Sequence, residues 1–540
     1  MINIALAQLN PIIGDFQGNC EKALKAAWES HSQGAQLTIF PESFITGYQP
    51  LDLLFVEDFV ENALQALKEL LPKLPPTTFL IGLPTKNHKP FGKPLYNSVA
   101  VISKNKIVNF HHKKLLPTYD VFDEARYFVP GKIHCTEVDG TKIGILICED
   151  MWSECTIDGR RLYLETPIHT LKEAQPDLVV VISASPFLPQ KQIVREEILK
   201  EIAQTVQCPV ASVNQVGGND GLLFDGGSCY VTPDGAVLRN VSFEEKVFFI
   251  NPQTASHDLL PPDVEIEKAL VMGIRDFFHK QGFSKALIGL SGGIDSSVVA
   301  YLACKALGPE NVLGVLLPSR FTTKESIHDA MQLAQNLHIE TRTISIEKPL
   351  QGFLETLDYQ PKEIDIPFEN LQARTRGNIL MTISNAERRL LLATSNKSEI
   401  AVGYFTLYGD ACGAIAPIGD LFKTEVYKLA LHLNMKKEII PKSILTKAPT
   451  AELRPNQKDE DSIPHYSILD PILEELILNK ASPQATAEYL NMPVELVVDV
   501  FTKLKSAEFK RKQSAPVLRV SQQAFNLGRL MPIVERYQSK

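Results

Sequence analysis

The chain has 540 residues, too many for one hydrophobic core, so two or three domains are expected. Its 44% apolar and 22% charged residues are those of an ordinary soluble globular protein. The net charge of −8 argues against a general nucleic-acid binder, and the absence of any 18-residue apolar run argues against a membrane span. The start, MINIALAQLNPIIGD, has no basic region ahead of an apolar one and reads as a strand, not a signal peptide. Eight cysteines are scattered with no CxxC pair, which fits reduced thiols in the cytoplasm.

Residues 1–250 are expected to form one α/β domain. Short apolar runs read as strands at Ile2–Leu9, Leu37–Phe40, Phe79–Leu83, Ser98–Ser103, Ile107–Phe110, Ile143–Ile147, Leu178–Ser183, Pro209–Asn214 and Ser228–Thr232. Helical stretches lie between some of them, at Asn19–Gln33, Val56–Leu71 and Gln190–Thr205. Three polar residues fall at strand ends or just beyond: Glu42 after LTIFPE, Lys113 in FHHKKLLPTYDVFDEARYF, and Cys148 at the end of KIGILIC. Each alone reads equally well as a solvated charge or a small buried hydrophobe. Together they supply a nucleophile, a base for its proton and a cation for a developing oxyanion. NQVGGNDGLLF and DGGS, residues 214–228, read as Gly-rich loops closing this domain. Residues 251–263, opening NPQTASHDLLPP, read as a linker.

Residues 264–540 are expected to form a second domain with parallel α/β order. A helix at Glu265–Lys280 leads to a strand, ALIGL, and then to Ser291–Ser297, SGGIDSS. Two glycines let the backbone turn sharply and approach a ligand, and the helix that follows offers unpaired N–H groups to a phosphate. Asp295 beside that site would repel phosphate unless it holds Mg²⁺. Further on come a strand at Asn311–Leu317, a helix at Thr323–Leu337, a strand at Glu340–Ile346, a helix at Phe368–Asn385 and a strand at Arg388–Ala393. The helix carries Arg374 and Arg376, two apart, so at most one of them reaches a ligand. Thr446 to Tyr466 is a long polar stretch read as a lid over nucleotides. Leu469–Phe509 reads as C-terminal helices.

Three sets of words carry resemblances. SGG-x-DSS between strand and helix resembles the pyrophosphate loop of the N-type ATP pyrophosphatases, which implies ATP at Gly289, Leu290, Ser291, Gly292, Gly293, Ile294, Asp295 and Ser296, and Mg²⁺ at Asp295. Ile294 departs from relatives with Gln there, which puts a side-chain contact in doubt but not the backbone cradle. PES-x-x-TGY, HK-x-x-LP-TYD-x-FDE-x-R-F and ICEDMW resemble the nitrilase superfamily, glutamine amidases fused to a synthetase in particular. That resemblance implies an α-β-β-α sandwich with Glu42 as general base, Lys113 as oxyanion stabiliser and Cys148 as nucleophile. It places L-glutamine against Tyr119, Ser185 and Lys191. Lys113 is preferred to its neighbour Lys114 by its spacing from Pro117.

QARTRGN, TSNKSE, GDLFKTEVYKLA and EFKRKQ, in that order, resemble the ammonia-ligase part of NAD synthetases, so that resemblance covers nearly the whole chain. It implies a doubly wound parallel sheet, ATP at Thr394, and deamido-NAD at Asn378, Glu399, Tyr404, Phe405, Thr406, Leu407 and Lys510. Motif matching does not separate Glu399 as a Mg²⁺ ligand from Glu399 as a substrate ligand. The activity implied is amidation of deamido-NAD to NAD with ammonia from glutamine, at the expense of ATP. Two rivals share the motifs: a ligase of the same loop acting on guanylate, asparagine or tRNA precursors, and a nucleotide-sensing scaffold with a dead amidase. Expected partners are ATP, L-glutamine and deamido-NAD, with no nucleic acid and no membrane; the expected assembly is a homo-oligomer.

Overall fold

The computed structural model describes residues 2–157, 159–251, 253–362 and 365–537. The chain divides into two compact units, Met1–Pro262 and Asp263–Lys540. Pro252, within the expected linker, lies outside the described residues.

The first unit is two six-stranded sheets face to face. In chain position across the first sheet the strands run Lys246–Ile250, Ile4–Gln8, Leu37–Ile39, Thr78–Lys86, Leu95–Ser103 and Lys106–His112. The second runs Val237–Arg239, Cys229–Val231, Val210–Asn214, Leu178–Ser183, Thr141–Ile147 and Cys135–Val138. Strand periodicity of two assigns the faces. Ile4 and Leu6 point between the sheets, with Ile145, Ile147, Val180 and Ile182 from the other side. Ala5 and Ala7 point outward, under helices Phe16–Ser32 and Phe59–Leu70. Val179 and Val181 point to the opposite exterior, under helices Pro167–Ala174 and Lys191–Val206. The layers are therefore the α-β-β-α sandwich that the resemblance implied.

Four strand expectations need correction, one of them Val237–Arg239, a further strand antiparallel to Cys229–Val231. Residues 216–225, expected as a Gly-rich loop, form an antiparallel hairpin, Val216–Asn219 with Leu222–Asp225. The turn is Asp220-Gly221, with Asp220 at φ +52°, a standard two-residue hairpin signal. Lys246–Ile250 is a further strand, paired antiparallel with Ile4–Gln8. Cys135–Val138 is another, antiparallel to Thr141–Ile147.

The central strands of both sheets are parallel, so their carboxyl ends lie on one side. The loop carrying Glu42 leaves the end of Leu37–Ile39 and lies against Gly82 of the neighbouring strand. A Cβ on Gly82 would fall 2.4 Å from Ser43 N and 2.5 Å from Pro41 O. Backbone of the loop, not a flexible side chain, would have to move.

The second unit centres on a four-stranded, all-parallel sheet in the order Glu340–Thr343, Val312–Leu316, Ala286–Gly289, Leu390–Leu392. The second strand in chain order lies to one side of the first and the last lies to the other. Ala286–Gly289 therefore ends at the switch point where open α/β sheets bind ligands. Helix Ile294–Leu307 follows it, and helix Ile366–Glu387 packs Leu380 against Leu287, Leu313 and Leu391. A separate helical core, with Leu469, Leu473, Val497 and Val500, joins the C-terminal helices to Ile400 and Ala401. Among the described residues no helix is long and apolar enough to cross a membrane.

Gly82→Ala is expected to destabilise the protein by roughly 1–3 kcal/mol, the cost of overpacking a close backbone contact. Urea unfolding followed by tryptophan fluorescence measures it, and an unchanged midpoint would show that the Glu42 loop yields freely.

Candidate active sites

In the first unit the charged residues named from the motifs meet in a buried cluster. Lys113 Nζ lies 2.8 Å from Glu42 Oε1 and 2.8 Å from Glu124 Oε1. Asn97 Nδ2 donates to Glu42 Oε1 at 2.8 Å, and the Ala184 N–H donates to Glu42 Oε2 at 3.0 Å. Tyr48 OH donates to Glu124 Oε1 at 3.1 Å. The Ala184 contact ties the two sheets together at the site. Ala184 follows Leu178–Ser183, in which Ile182 is the register partner of Ile147, and Ile147 immediately precedes Cys148. Cys148 has φ +45°, a left-handed conformation that is costly for a side chain and concentrates at functional positions.

Asp150 braces this arrangement. Its Oδ2 accepts the Ile147 N–H at 3.0 Å, while Oδ1 accepts the N–H groups of Lys114 at 3.1 Å and Leu115 at 2.8 Å. One carboxylate thus pins the turn at Cys148 to the segment just after Lys113. The two adjacent lysines, just past the end of strand Lys106–His112, go different ways: Lys113 is buried in the cluster, and Lys114 Nζ pairs with exposed Glu165 at 2.6 Å.

Electrostatics divide the roles. Burial pushes the Cys148 thiol well above its ordinary range; the nearby Glu42 charge adds to the rise and Lys113 opposes it. A resting thiol therefore needs a base. Burial disfavours the Lys113 ammonium, but Glu124 and Glu42 outweigh it and hold the group cationic, well above its usual range. Burial pushes the Glu124 carboxyl up against the pull of Lys113, and the Glu42 charge raises it further.

The three expected glutamine residues border this cluster. Tyr119 OH donates to Oε1 of Glu149, the residue after Cys148, at 3.0 Å. Ser185 follows Ala184, and its N–H donates to Asn214 Oδ1 at 2.8 Å. Lys191 Nζ donates to the Pro186 carbonyl at 3.0 Å and stands 5.7 Å from the centre of the Trp152 ring. Glu124 and Asn97 carried no role in the sequence reading. The signal for Glu124 was present in the FDE-x-R words; Asn97, in an ordinary strand, gave none.

In the second unit a cleft of about 550 Å³ opens at the sheet's switch point. Gly289, Leu290, Ser291, Gly292, Gly293, Ile294, Asp295, Ser296 and Thr394 all line it. Gly292 is at φ +77°, and a Cβ there would meet the Ser326 carbonyl oxygen at 2.3 Å. Ser291 Oγ accepts the Gly293 N–H at 3.1 Å, and Ser297 Oγ donates to the Gly293 carbonyl at 2.7 Å, which closes the turn into the helix.

Asp295 and Glu399 converge on one ammonium. Lys423 Nζ hydrogen-bonds Asp295 and lies 3.5 Å from Glu399 Oε1. Asn396 caps its helix by accepting the Glu399 N–H at 3.0 Å, and its Nδ2 donates to Asp295 Oδ1 at 3.1 Å. Burial pushes the Glu399 carboxyl up to about 8; Lys423 opposes the rise and Asp295 and Asp459 add to it. Asp459 accepts from Tyr404 OH at 3.2 Å and Tyr466 OH at 2.9 Å. Lys423 stands in GDLFKTEVYKLA, and only the fold brings it 128 residues back to Asp295. The pair Asp295 and Glu399 fits a Mg²⁺ ion: two hard oxygen donors aimed at one cation position, with phosphate and water left to complete its shell. No cluster of three or more potential ligand side chains disposed to hold a metal unaided occurs among the described residues.

Glu399, Tyr404, Phe405, Thr406 and Lys510 also line the cleft, and Lys510 Nζ donates to the carbonyls of Gly403 at 2.8 Å and Phe405 at 2.9 Å. Asn378 and Leu407 are not among the lining residues. Asn378 is on the exposed side of helix Ile366–Glu387, about 100° round from Gly377, which does line the cleft. Leu407 turns its carbonyl to Arg374, whose Nε donates at 3.2 Å. Of the two arginines Arg376 is the one in the cleft, its Nε donating to Leu317 O at 3.0 Å.

The polar stretch 446–466 lies over this cleft, latched by side chains. Glu452 Oε1 accepts from Thr323 Oγ1 at 2.9 Å and Ser326 Oγ at 2.6 Å. Gln372 Nε2 donates to Leu453 O at 2.8 Å, and Arg454 pairs with Glu369 at 3.4 Å.

A buried-thiol amidase sandwich and a parallel-sheet nucleotide ligase on one chain define the class. Residues 3–251 match the carbon-nitrogen hydrolase family and residues 266–514 the NAD synthase family. The chain is 44% identical to the glutamine-dependent NAD(+) synthetase of Synechocystis, over 99% of both chains, and 38% identical to that of Thermotoga maritima, again over 99% of both. It superposes with a TM-score of 0.77 on the solved glutamine-dependent NAD+ synthetase of Acinetobacter baumannii in complex with ADP, at 33% identity over 100% of this chain and 99% of that one. The chain belongs to the glutamine-dependent NAD(+) synthetase family.

Lys113→Ala would leave two buried carboxylates without their cation and is expected to cost about 3–5 kcal/mol. Lys114→Ala, which breaks a partly exposed pair, should cost less than about 1 kcal/mol. Chemical denaturation of both variants reads the difference; equal effects would contradict the assignment of Lys113 to the cluster.

Proposed function

We propose that the chain converts deamido-NAD to NAD by ATP-dependent amidation, with ammonia taken from L-glutamine. The observation that carries the reading is the pairing, on one family-matched chain, of a Glu-Lys-Cys cluster with a nucleotide cleft whose Asp295 and Glu399 converge on Lys423.

At the amidase site Glu42 takes the proton from Cys148 Sγ as the sulfur bonds to the glutamine carboxamide carbon. Lys113, held cationic, stabilises the oxyanion that develops on the carboxamide oxygen. Glu42 returns the proton to the leaving nitrogen, the C–N bond breaks, and ammonia departs from a thioester. Water, deprotonated by Glu42, then attacks the thioester carbon; the C–S bond breaks, Sγ regains the proton, and glutamate leaves. Tyr119, Ser185 and Lys191 hold the amino-acid end of the substrate in this reading.

At the ligase cleft the Ser291–Ser296 turn and the N-terminus of helix Ile294–Leu307 cradle the phosphates of ATP. Asp295 and Glu399 would hold Mg²⁺, which neutralises phosphate charge when bound. Lys423 supplies a further fixed cation beside them. The nicotinate carboxylate attacks the α-phosphorus, pyrophosphate leaves, and ammonia displaces AMP from the adenylate carbon to give NAD. Thr394 serves ATP; Tyr404, Phe405, Thr406 and Lys510 serve deamido-NAD. All eight cysteines are free thiols, which supports a cytoplasmic setting.

Cys148→Ala should abolish glutamine-dependent NAD formation and leave ammonia-dependent formation, while Asp295→Asn should abolish both. Turnover with each nitrogen donor decides: loss of both activities in Cys148→Ala, or survival of glutamine use, would reject the two-site reading.

Adenylates hydrolyse in water, so the latched stretch 446–466 should shield one. Its hydrogen exchange is expected to slow when ATP and deamido-NAD are both bound and to change little with either alone. Equal exchange in all states would make the stretch a static surface segment.

A further inference from the structure

Asn97 touches every charged member of the amidase cluster. Its carbonyl accepts the Lys113 backbone N–H at 2.8 Å. Its Nδ2 donates to Glu42 Oε1 at 2.8 Å and lies 3.5 Å from Glu124 Oε2. Charge dictates the amide's orientation, because turning it over would face Oδ1 to two carboxylates. That orientation leaves Oδ1 buried with no hydrogen-bond partner. An orphaned buried acceptor costs stability, so this side chain is not placed for strand packing alone. Violations of this kind persist where the group serves the chemistry.

The reaction needs one carboxylate ionised and accepting beside Cys148, yet two carboxylates share a single ammonium. Lys113 does not discriminate, being 2.8 Å from both. Asn97 does, since a contact of 3.5 Å is at the edge of hydrogen bonding and one of 2.8 Å is well inside it. The Ala184 N–H adds a second fixed donor to Glu42. Donors to an ionised carboxylate favour that form.

We propose that Asn97 is a positioning residue that makes Glu42, and not Glu124, the ionised partner of Cys148. This rests on the assignment of Glu42 as the general base. The upward push on the buried Glu124 carboxyl fits the same division of labour.

Two variants test it in the full-length protein. Asn97→Ser removes the donor; Asn97→Asp keeps the size and puts a third carboxylate in its place, so the measurement survives if one variant does not fold. In both, kcat for glutamine hydrolysis should fall roughly 10- to 100-fold, the effect of losing a hydrogen bond to a charged group, with KM for glutamine little changed. The acidic limb of the pH profile of kcat/KM should move to higher pH, further in Asn97→Asp. Iodoacetamide alkylation of Cys148 should shift in the same direction, without any need for glutamine. A slower enzyme with an unshifted limb makes Asn97 structural only, and a raised KM with unchanged kcat makes it a substrate contact; either overturns the proposal. Cys148→Ala is assayed in parallel. If it keeps glutamine-dependent synthesis, the amidase assignment itself fails; if it loses that activity while both Asn97 variants match the parent, this inference alone fails.

Discussion

A lysine ammonium buried between two glutamates is the constraint around which the amidase unit is arranged. Neither carboxylate nor cation is tolerable alone at that depth, because stripping water from a charge costs far more than any single contact returns. Lys113, Glu42 and Glu124 therefore have to arrive together, from three different segments. The supporting bonds follow from that need. Ala184 and Asn97 hold Glu42, Tyr48 holds Glu124, and Asp150 ties the turn at Cys148 to the chain after Lys113. The strained backbone of Cys148 is sustained by the same frame.

The ligase cleft uses a related device in a different setting. Asp295 and Glu399 share Lys423, but on the wall of a cleft that opens at a strand-to-helix turn. The lysine offsets the mutual repulsion of the two carboxylates. Asn396 links the two acids through its cap, so that the geometry of one helix start is transmitted to the other. In the amidase unit the ion cluster is buried on all sides. In the ligase it is open on one side, suited to exchange of large anions.

Much of this was legible along the chain. The strands around Cys148 and Ser291 are apolar runs whose ends carry the chemistry, and those ends lie within a residue or two of where periodicity and glycine placed them. The hairpin at 216–225 was missed because its glycines outweighed its alternation, although Asp220-Gly221 is a turn signal in its own right. Asn378 belongs to the words that carry the resemblance, and helical rotation sets it about 100° round from Gly377, on the exposed side of its helix.

Local pattern by itself determined the alternation of strands and helices and the strand ends at Cys148 and Ser291, because these depend on residues close in sequence: a strand, a turn and the helix or loop that follows; the sandwich, the two chemistries and the role of Cys148 came from the family resemblance. Tertiary structure alone decided the partners. Glu124 and Asn97 enter the cluster only because neighbouring strands and loops close over Lys113, and Lys423 reaches Asp295 across 128 residues of chain. It also set Lys113 and Lys114 apart in space, where the spacing from Pro117 had separated them only through the resemblance: the first is buried between Glu42 and Glu124, and the second pairs with exposed Glu165.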